Sequence, residues 1–294
     1  MNIAPVAILI PNYNSEQYIN ETLESILEQT YSNWICIVND NCSTDNSYTL
    51  ALKYQEKDER FRVFRNQKPI PPIDNWNKTF SLLNFKPKYF KFFSSDDILF
   101  NEYLEHMVNA LETYPTAGIV SSYRIENNSP QSTFIEFENE IQTFIDSQTA
   151  FHLSIDNKIF ISQNFSMSLY NYHLYYSLFK DSMPFNTKNI SADTEFDLMM
   201  IRNFDSVFVH QILLFKRSHN TSLTSTILEK YKSNFYSQIF IFNRFKDDLS
   251  VRNRIFRFRI SYAKMLLMNS FNFKLLKWHL SKPETFKFIV KGTF

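Results

Sequence analysis

The chain has 294 residues, a formal net charge of +1 and 44% hydrophobic residues, the composition of a globular protein with one large or two smaller domains. Its two glycines exclude phosphate-binding loops of the GxxxxGK or GxGxxG kind. Its two cysteines, Cys36 and Cys42, exclude a disulfide framework and lack the CxxC and histidine partners of a zinc site. We therefore expect free thiols and a cytoplasmic location, which the absence of a signal-peptide pattern also favours.

Strand and helix patterns alternate through the first part of the chain. The apolar run at 6–10 predicts a strand buried on both faces, and the periodic segment 15–30 predicts a helix capped by Asn14 or Ser15. Asp74 is the expected cap of the third helix. This alternation predicts an α/β fold with a doubly wound, mostly parallel sheet flanked by helices. The remaining strands are predicted at 34–40, 61–66 and 89–93, and the remaining helices at 43–58, 74–84 and 101–114.

The second half of the chain is less regular. The longest uncharged stretch, residues 159–179, contains Ser, Asn, Gln and His throughout, so it predicts a buried strand and a helix and not a membrane span. A helix is predicted at 191–203, and a strand pair or a strand and loop at 204–219. From about residue 229 the pattern is helical. These changes divide the chain into 1–115, 116–226 and 227–294.

The last of these regions carries much of the positive charge, with fourteen Lys or Arg against four acids in residues 229–294. Basic and aromatic residues on an amphipathic helix are typical of proteins that bind an anionic membrane surface. Phe256, Phe258, Ile260 and Leu266 form the expected insertion face, which would place the protein on the inner side of the cell membrane. We disfavour nucleic acid as the partner because these residues do not form a stacking platform. A helical cap with solvated Lys and Arg is an open alternative.

Polar residues follow three of the predicted strands, at 12–14, 39–41 and 94–97. Ligands bind at the carboxyl ends of the strands in doubly wound sheets, so these residues are expected at one edge. Asp96 and Asp97 are the most acidic part of that edge. Taken alone, the pair fits a solvated turn before the next helix. Its convergence with the other strand ends favours a metal site.

A phosphate at this edge needs a source of positive charge other than a glycine loop. Asp96 can hold Mn²⁺ or Mg²⁺, which prefer oxygen ligands and bridge diphosphates well. Asp40 can accept a hydrogen bond from a nucleotide base, and the ring of Tyr13 can stack on that base. The sequence therefore predicts a site for a nucleoside diphosphate.

A second acidic cluster follows at Asp193, Glu195 and Asp197. Asp193 is the candidate general base for an attacking hydroxyl. The alternative is an acidic helix start that interacts with the helix dipole. Arg217 and His219 are candidates for the phosphates or the metal, although a lone histidine is more often structural.

Five segments occur in the order found in one enzyme family. They are VAILIPNYNSEQYINETLESILEQTY, IVNDNCSTDNS, NWN followed by YFKFFSSDD, ADTEFDLMM, and FKRSHNTSLTS. Through them, residues 4–225 resemble the inverting glycosyltransferases of family 2, which have the GT-A fold and include enzymes of bacterial polysaccharide and lipopolysaccharide synthesis. The resemblance implies a nucleotide-sugar-binding half at 1–115, an acceptor-binding and catalytic-base half at 116–226, and a C-terminal helical extension at 227–294.

The resemblance also implies roles for individual residues. Asp96 matches the last acid of the DxD motif, Asp193 matches the base, and Glu195 is the auxiliary acid that follows it. The implied donor-binding residues are Pro11, Tyr13, Asp40, Asn75, Asn77, Ser95 and Arg217, and the implied metal ligands are Asp96, Asp97 and His219.

The implied reaction is the metal-dependent, inverting transfer of a sugar, most commonly UDP-linked, to a hydroxyl of a glycan or lipid-linked acceptor. Ser94 departs from the family pattern at the first acid of DxD, Asn39 and the extra residue Cys42 alter the second turn, and Ala192 stands where a Glu often precedes the base. The missing acid at Ser94 keeps open a non-catalytic nucleotide- or glycan-binding assembly protein. A sugar nucleotidyltransferase is a weaker alternative because it normally has a glycine-rich signature after its first strand. A glycoside hydrolase would not need the nucleotide-binding edge.

Overall fold

The computed structural model describes residues 5–126, 129–131, 141–155, 165–180, 182–187, 191–217, 235, 239 and 243–268. The chain divides into two compact units. The first comprises 1–188 and 192–218, and the second comprises 189–191 and 219–294. The predicted regions 1–115 and 116–226 both contribute strands to the sheet of the first unit, and their division into functional halves stays a prediction.

Strands and helices alternate in the first unit as far as its fourth strand, and the order is less regular beyond it. Its strands are β1 (Val6–Asn12), β2 (Trp34–Asp40), β3 (Phe61–Arg65), β4 (Tyr89–Phe92), β5 (Ile98–Leu99), β6 (Ala117–Glu126), β7 (Ser129–Gln131), β8 (Gln142–Ile145), β9 (Leu169–Asn171) and β10 (Asp205–Lys216). Its helices are α1 (Ile19–Leu27), α2 (Ser47–Lys57), α3 (Pro72–Ser81), α4 (Tyr103–Thr113), α5 (Ser147–Ile155), α6 (Tyr172–Phe179) and α7 (Ala192–Asn203), with a 3₁₀ turn at Phe165–Met167.

The strands form one sheet in the order β3-β2-β1-β4-β9-β6-β10-β5, with β7 beside β6 and β8 beside β10. The first four strands are parallel neighbours, and β6 and β10 form a second parallel pair. The strand β9 lies antiparallel between β4 and β6. The predicted α/β class and the parallel arrangement of the first strands are confirmed, and the later strands make the sheet mixed.

The apolar runs become the centre of the sheet because both of its faces are covered by helices. Residues 6–10 are fully buried. On β4, Phe90 and Phe92 point to one face and lie 6.3 Å from the ring centroid of Phe196 on α7. Phe92 also lies 4.6 Å from Phe185. Many of the abundant aromatic side chains therefore fill one layer between β4, α3, α6 and α7.

Two predicted helix caps are wrong. Residues 15–18 form a turn in which the Ser15 carbonyl accepts from the Tyr18 N–H at 2.8 Å, and α1 begins four residues after Ser15 without a side-chain cap. The helix α3 begins at Pro72, so Asp74 lies inside its first turn. Proline at the first helical position has the backbone angle and the missing N–H that this position tolerates. The proline at 72, and not the acid at 74, marks the start.

The segment predicted as a strand pair or a strand and loop is one continuous strand, β10. Register irregularities between Asp205 and Ser206 and between Val209 and Leu214 bend it while it stays paired with β6. The described part of the 159–179 stretch confirms a strand followed by a helix, β9 and α6. Residues 159–164 lie outside the described residues.

Gly118 allows β6 to approach Phe204 closely, since a Cβ at position 118 would lie 2.6 Å from the Phe204 Cβ. We expect Gly118→Ala to lower the free energy of unfolding by about 1–3 kcal/mol, as overpacked substitutions do. Urea denaturation of the parent, Gly118→Ala, Phe204→Gly and the double variant measures this. A double variant in which the two losses simply add would contradict the steric explanation, because removing the whole Phe204 side chain, including its Cβ, should relieve the clash.

The described part of the second unit contains the helix α8 (Leu249–Met268). Phe256 is 60% exposed and Ile260, one turn later, is also exposed, whereas the Phe258 ring lies 6.1 Å from that of Phe235. Two of the four predicted insertion residues thus share an exposed side, and Phe258 does not belong to it. None of the described helices combines the length and the apolar character needed to cross a bilayer.

Candidate active site

The carboxyl ends of β1, β2, β3 and β4 lie side by side because these strands are parallel neighbours. Tyr13 directly follows β1 and is 54% exposed. An exposed aromatic ring at this edge suits stacking on a nucleotide base. Pro11, another predicted donor-binding residue, is opposite Asn39 in the β1–β2 register. The structure therefore brings the predicted ring and strand ends together.

Asp40 ends β2 and is fully buried. Its Oδ1 accepts from Asn12 Nδ2 at 2.9 Å, and its Oδ2 accepts from the Ser43 N–H at 3.0 Å. Arg65 Nε lies 3.2 Å from the same Oδ2. Each carboxylate oxygen already has a donor, so a base could use only a remaining lone pair. Asp40, at the end of β2, thus links the ends of β1 and β3 through Asn12 and Arg65.

Arg65 ends β3 and is missing from the residues predicted from the sequence. Its guanidinium lies 4.6 Å from the ring centroid of Tyr48, and its Nη2 donates to the Ser43 carbonyl at 2.9 Å. Arg65 thus adds a positive charge to the strand ends that carry Asp40. Its position at the end of a predicted strand was the signal that could have identified it.

Asparagine side chains hold the loops at this edge together. Asn39 Nδ2 and Asn66 Nδ2 both donate to Asn75 Oδ1 at 2.9 Å. The Asn41 amide pairs with both backbone groups of Ile70, at 2.8 and 2.9 Å. Asn75, predicted to bind the donor, is buried and its amide oxygen serves this network. Its observed role is to fix the loop after β3.

Asn77, also predicted to line the nucleotide pocket, is buried on α3. Its Nδ2 donates to the Phe185 carbonyl at 2.7 Å, and its Oδ1 accepts from the Phe185 N–H at 3.0 Å. The side-chain amide thus donates one hydrogen bond to, and accepts one from, a backbone segment 108 residues away, as the backbone of a neighbouring strand would. The contacts of Asn77 are structural.

The loop after β4 carries the predicted metal-binding acids. The Ser166 hydroxyl donates to Ser94 Oγ at 3.3 Å. Ser95 and Asp96 are partly exposed, whereas Asp97 is 2% exposed and accepts from the Arg217 N–H at 3.1 Å. Burial, reinforced by the neighbouring Asp96 charge, raises the pKa of Asp97 to about 7. The two adjacent acids therefore have different environments, and Asp96 is the one that a ligand can reach.

Lys91 lies beneath this loop in the middle of β4 and is fully buried. Its ammonium donates to the Ser166 carbonyl and lies 4.7 Å from the ring centroids of Phe93 and Tyr103. Burial lowers the pKa of Lys91 to about 7, although the charge of Asp97 opposes this shift. Burial thus brings the pKa values of Asp97, in the loop, and of Lys91, in the strand before it, both to about 7.

The residues of this loop fit a divalent cation that is shared with a diphosphate. No group of three His, Cys, Asp or Glu side chains suited to a metal occurs within the described residues. Mg²⁺ is commonly bound by one or two carboxylates and completed by substrate phosphates and water. Asp96 can supply the carboxylate, and Asp97 Oδ1 already accepts a backbone N–H. His219, the third predicted ligand, lies outside the described residues.

Asp193 lies in the first turn of α7, where its Oδ1 accepts from the Thr194 N–H at 2.8 Å. Burial raises the pKa of Asp193 above its usual range, an effect that the Lys216 charge opposes. A carboxylate with a raised pKa is a better proton acceptor at neutral pH. Glu195, two residues later on the helix, is partly exposed.

Asp197 follows Asp193 by one helical turn and is fully buried. The Tyr170 hydroxyl donates to Asp197 Oδ1 at 2.6 Å. Burial, together with the charge of Asp193, raises the pKa of Asp197 well above its usual range. Asp197 therefore forms part of the buried support behind Asp193.

Arg217, a predicted donor-binding residue, follows β10, and its guanidinium is directed toward α1. Its Nη2 donates to Glu21 Oε2, and the guanidinium lies 5.0 Å from the ring centroid of Tyr18. The backbone N–H of Arg217 contacts the acidic loop at Asp97, whereas its guanidinium binds Glu21. The predicted donor contact of Arg217 stays a prediction.

The chain resembles known glycosyltransferases in sequence. TuaG of Bacillus subtilis (strain 168), a glycosyltransferase named for teichuronic acid biosynthesis, is 28% identical over 132 residues, which are 44% of this chain and 52% of TuaG. WfgD of Escherichia coli, a UDP-Glc:alpha-D-GlcNAc-diphosphoundecaprenol beta-1,3-glucosyltransferase, is 29% identical over 124 residues, which are 42% of this chain and 47% of WfgD. The matches thus span about half the length of these curated relatives.

The fold has solved counterparts. The crystal structure of S. aureus TarS 1-349 in complex with UDP-GlcNAc has a TM-score of 0.68 and 16% sequence identity, and the likeness covers 97% of this chain and 79% of that chain. A likeness at this identity shows the fold alone, which is the predicted GT-A fold. The model of the glycosyl transferase family 2 domain matches residues 7–172, more than half of the sequence. The chain is therefore a member of glycosyl transferase family 2.

Proposed function

We propose that this protein is an inverting glycosyltransferase that uses a nucleotide-diphosphate sugar, with UDP as the nucleotide. The observation that carries the proposal is the arrangement at the carboxyl edge of β1–β4, where the exposed ring of Tyr13 and the partly exposed Asp96 follow neighbouring parallel strands of the sheet. UDP is favoured because WfgD uses UDP-Glc and TarS binds UDP-GlcNAc. A glycan or lipid-linked glycan in cell-surface polysaccharide synthesis is the acceptor we propose.

The residues have separate tasks in the proposed reaction. The ring of Tyr13 stacks on the base, and the ion pair between the buried Asp40 and the exposed Arg65 holds the strand ends that receive it. Asp193 accepts the proton of the acceptor hydroxyl at a carboxylate oxygen. The hydroxyl oxygen forms a bond to the anomeric carbon, the bond from that carbon to the diphosphate oxygen breaks from the opposite face, and the configuration inverts.

Asp96 would hold a divalent cation, Mn²⁺ or Mg²⁺, which supplies positive charge for the diphosphate when bound. We propose that the reaction occurs in the cytoplasm, with the exposed side of α8 next to the inner membrane surface. The support for that location is the exposed pair Phe256 and Ile260 together with the basic charge of residues 229–294.

Calorimetry with UDP, GDP, dTDP and CMP, with and without Mn²⁺, tests the proposal. We expect UDP to bind the parent most tightly and Tyr13→Ala to lose about 5- to 100-fold in affinity, the usual contribution of base stacking on an aromatic ring. Asp96→Ala should lose the increase in affinity that Mn²⁺ gives. Tyr176→Ala on α6, which also removes an exposed tyrosine ring, is the matched control and should bind as the parent does.

A folded parent protein that binds none of the four nucleotides would refute a nucleotide-sugar donor. Metal-independent UDP binding without transfer to any acceptor would instead favour a non-catalytic nucleotide-binding protein. The specific observation behind that second candidate is Ser94, whose hydroxyl accepts from Ser166 at the position of an expected acid.

A further inference from the structure

The end of β10 brings a lysine beside the acidic loop that follows β4. Lys216 is the last residue of β10 and is opposite Glu126 in the parallel register with β6. In the antiparallel register with β5, Phe215 is opposite Ile98, so the next residue along the strand, Lys216, lies level with Asp97. The backbone therefore fixes Lys216 beside the acidic loop.

The side chains of Lys216 and Arg217 point in opposite directions, as successive residues at a strand end do. Arg217 is directed to Glu21 and Tyr18. The Lys216 ammonium lies 3.6 Å from Glu126 Oε1, and the side chain is one-third exposed. Glu126 Oε2 also accepts from Arg124 Nη2 at 3.3 Å. One carboxylate is thus shared by two cations, so Glu126 does not neutralise both of them.

The Lys216 charge is also felt at both acidic clusters. Burial raises the pKa of Asp97 in the loop after β4 and the pKa of Asp193 at the start of α7, and the Lys216 charge opposes both shifts. The strand register, which sets Lys216 level with Asp97, accounts for the effect on the acidic loop. In the proposed function, the donor diphosphate lies between this loop and the hydroxyl that Asp193 activates.

The acidic loop offers one accessible acid, Asp96, because Ser94 stands at the other expected position and Asp97 is buried. A weaker hold on a divalent cation increases the need for a protein cation at the diphosphate. Lysine is a compact, strongly hydrated charge that binds phosphate as a point charge. We propose that Lys216 leaves Glu126 when the donor binds and forms an ion pair with the diphosphate; this inference rests on the proposed function.

The test is the ratio of UDP to UMP affinity, measured by calorimetry without metal and with Mn²⁺. UMP has the same base and ribose, so the ratio isolates the contribution of the second phosphate. We expect Lys216→Met to lower this ratio at least 10-fold and Lys216→Arg to keep it within about 3-fold, since arginine retains the charge. Lys88→Met, which removes another lysine from an ion pair, with Glu112, is the control and should leave the ratio unchanged.

Glu126→Gln provides a second, independent variant because it removes the partner that holds Lys216 without removing the cation. We expect the UDP to UMP ratio to stay the same or to increase. A parent-like ratio in Lys216→Met, or an equal loss of UDP and UMP binding in it, would overturn the inference while the proposed function stands. A parent protein that binds no nucleotide would overturn both.

Discussion

Asp193→Asn should lower the rate of sugar transfer by about 100-fold or more and leave UDP binding intact; this is the result we expect if Asp193 is the general base. Loss of a positioned base lowers rates by on the order of 10²- to 10⁴-fold. Asparagine keeps the oxygen that accepts from the Thr194 N–H at 2.8 Å, so the start of α7 should persist. The measurement combines a transfer assay with a UDP titration of the same preparations.

The same substitution should increase stability at neutral pH. The pKa of Asp193 is raised in the folded state above the ordinary value of 3.8. Between the unfolded and folded pKa values, the folded state binds more protons than the unfolded state, so the stability of the parent falls as pH rises through that interval. Asparagine does not titrate. The Tm of Asp193→Asn should therefore exceed that of the parent at pH 7, and the difference should shrink as pH falls toward 4.

The activity of the parent should show the complementary pH dependence. Since only the ionised Asp193 accepts a proton, kcat/KM should rise with pH through a pKa above the usual range of aspartate. Glu56→Gln is the control because Glu56 is an exposed acid on α2 with no role in the proposed reaction, and it should leave the rate unchanged. An Asp193→Asn enzyme that retains more than about a tenth of the parent rate would exclude Asp193 as the base.

Asn77→Ala should destabilise the first unit strongly and leave UDP affinity unchanged in the protein that remains folded. The substitution leaves the N–H and the carbonyl of Phe185 without the partners at 3.0 and 2.7 Å. Each buried polar group without a partner costs about 1–3 kcal/mol, so we expect a loss of roughly 2–6 kcal/mol in the free energy of unfolding.

Urea denaturation and UDP calorimetry below the unfolding transition separate the two possible roles of Asn77. Asn109→Ala at an exposed position of α4 is the control and should be neutral or slightly stabilising, because alanine favours helices. A stable Asn77→Ala variant with weakened UDP binding would restore the direct donor contact predicted from the sequence.

The sequence predicts the first four strands and the edge at which they end because both have local signals. Continuous apolar runs mark buried parallel strands, and Tyr13 and Asp96 directly follow two of them. The roles of Asn75 and Asn77 could not be predicted in the same way. An amide that binds a backbone segment 108 residues away has the same local sequence as an amide that binds a ligand.

The cations of the site were also hard to predict. Lys91 is a single charge within an apolar strand. Lys216 comes to lie beside the acidic loop through the pairing of β10 with β6 and β5, which the local sequence does not reveal. The continuity of β10 was missed because polar residues in its middle, His210 and Gln211, suggest a turn. Register irregularities near these residues let them remain in the strand.

The insertion of β9 between β4 and β6 affects how the chain emerges during synthesis. Until residues 169–171 are made, β4 is an edge strand whose backbone groups are open to pairing with another nascent chain. Three of its four residues are aromatic, which increases that hazard. Lys91 places a charge in the middle of this temporary edge and should discourage intermolecular pairing. Lys91, which is fully buried in the finished sheet, would thus have a second role before the sheet is complete.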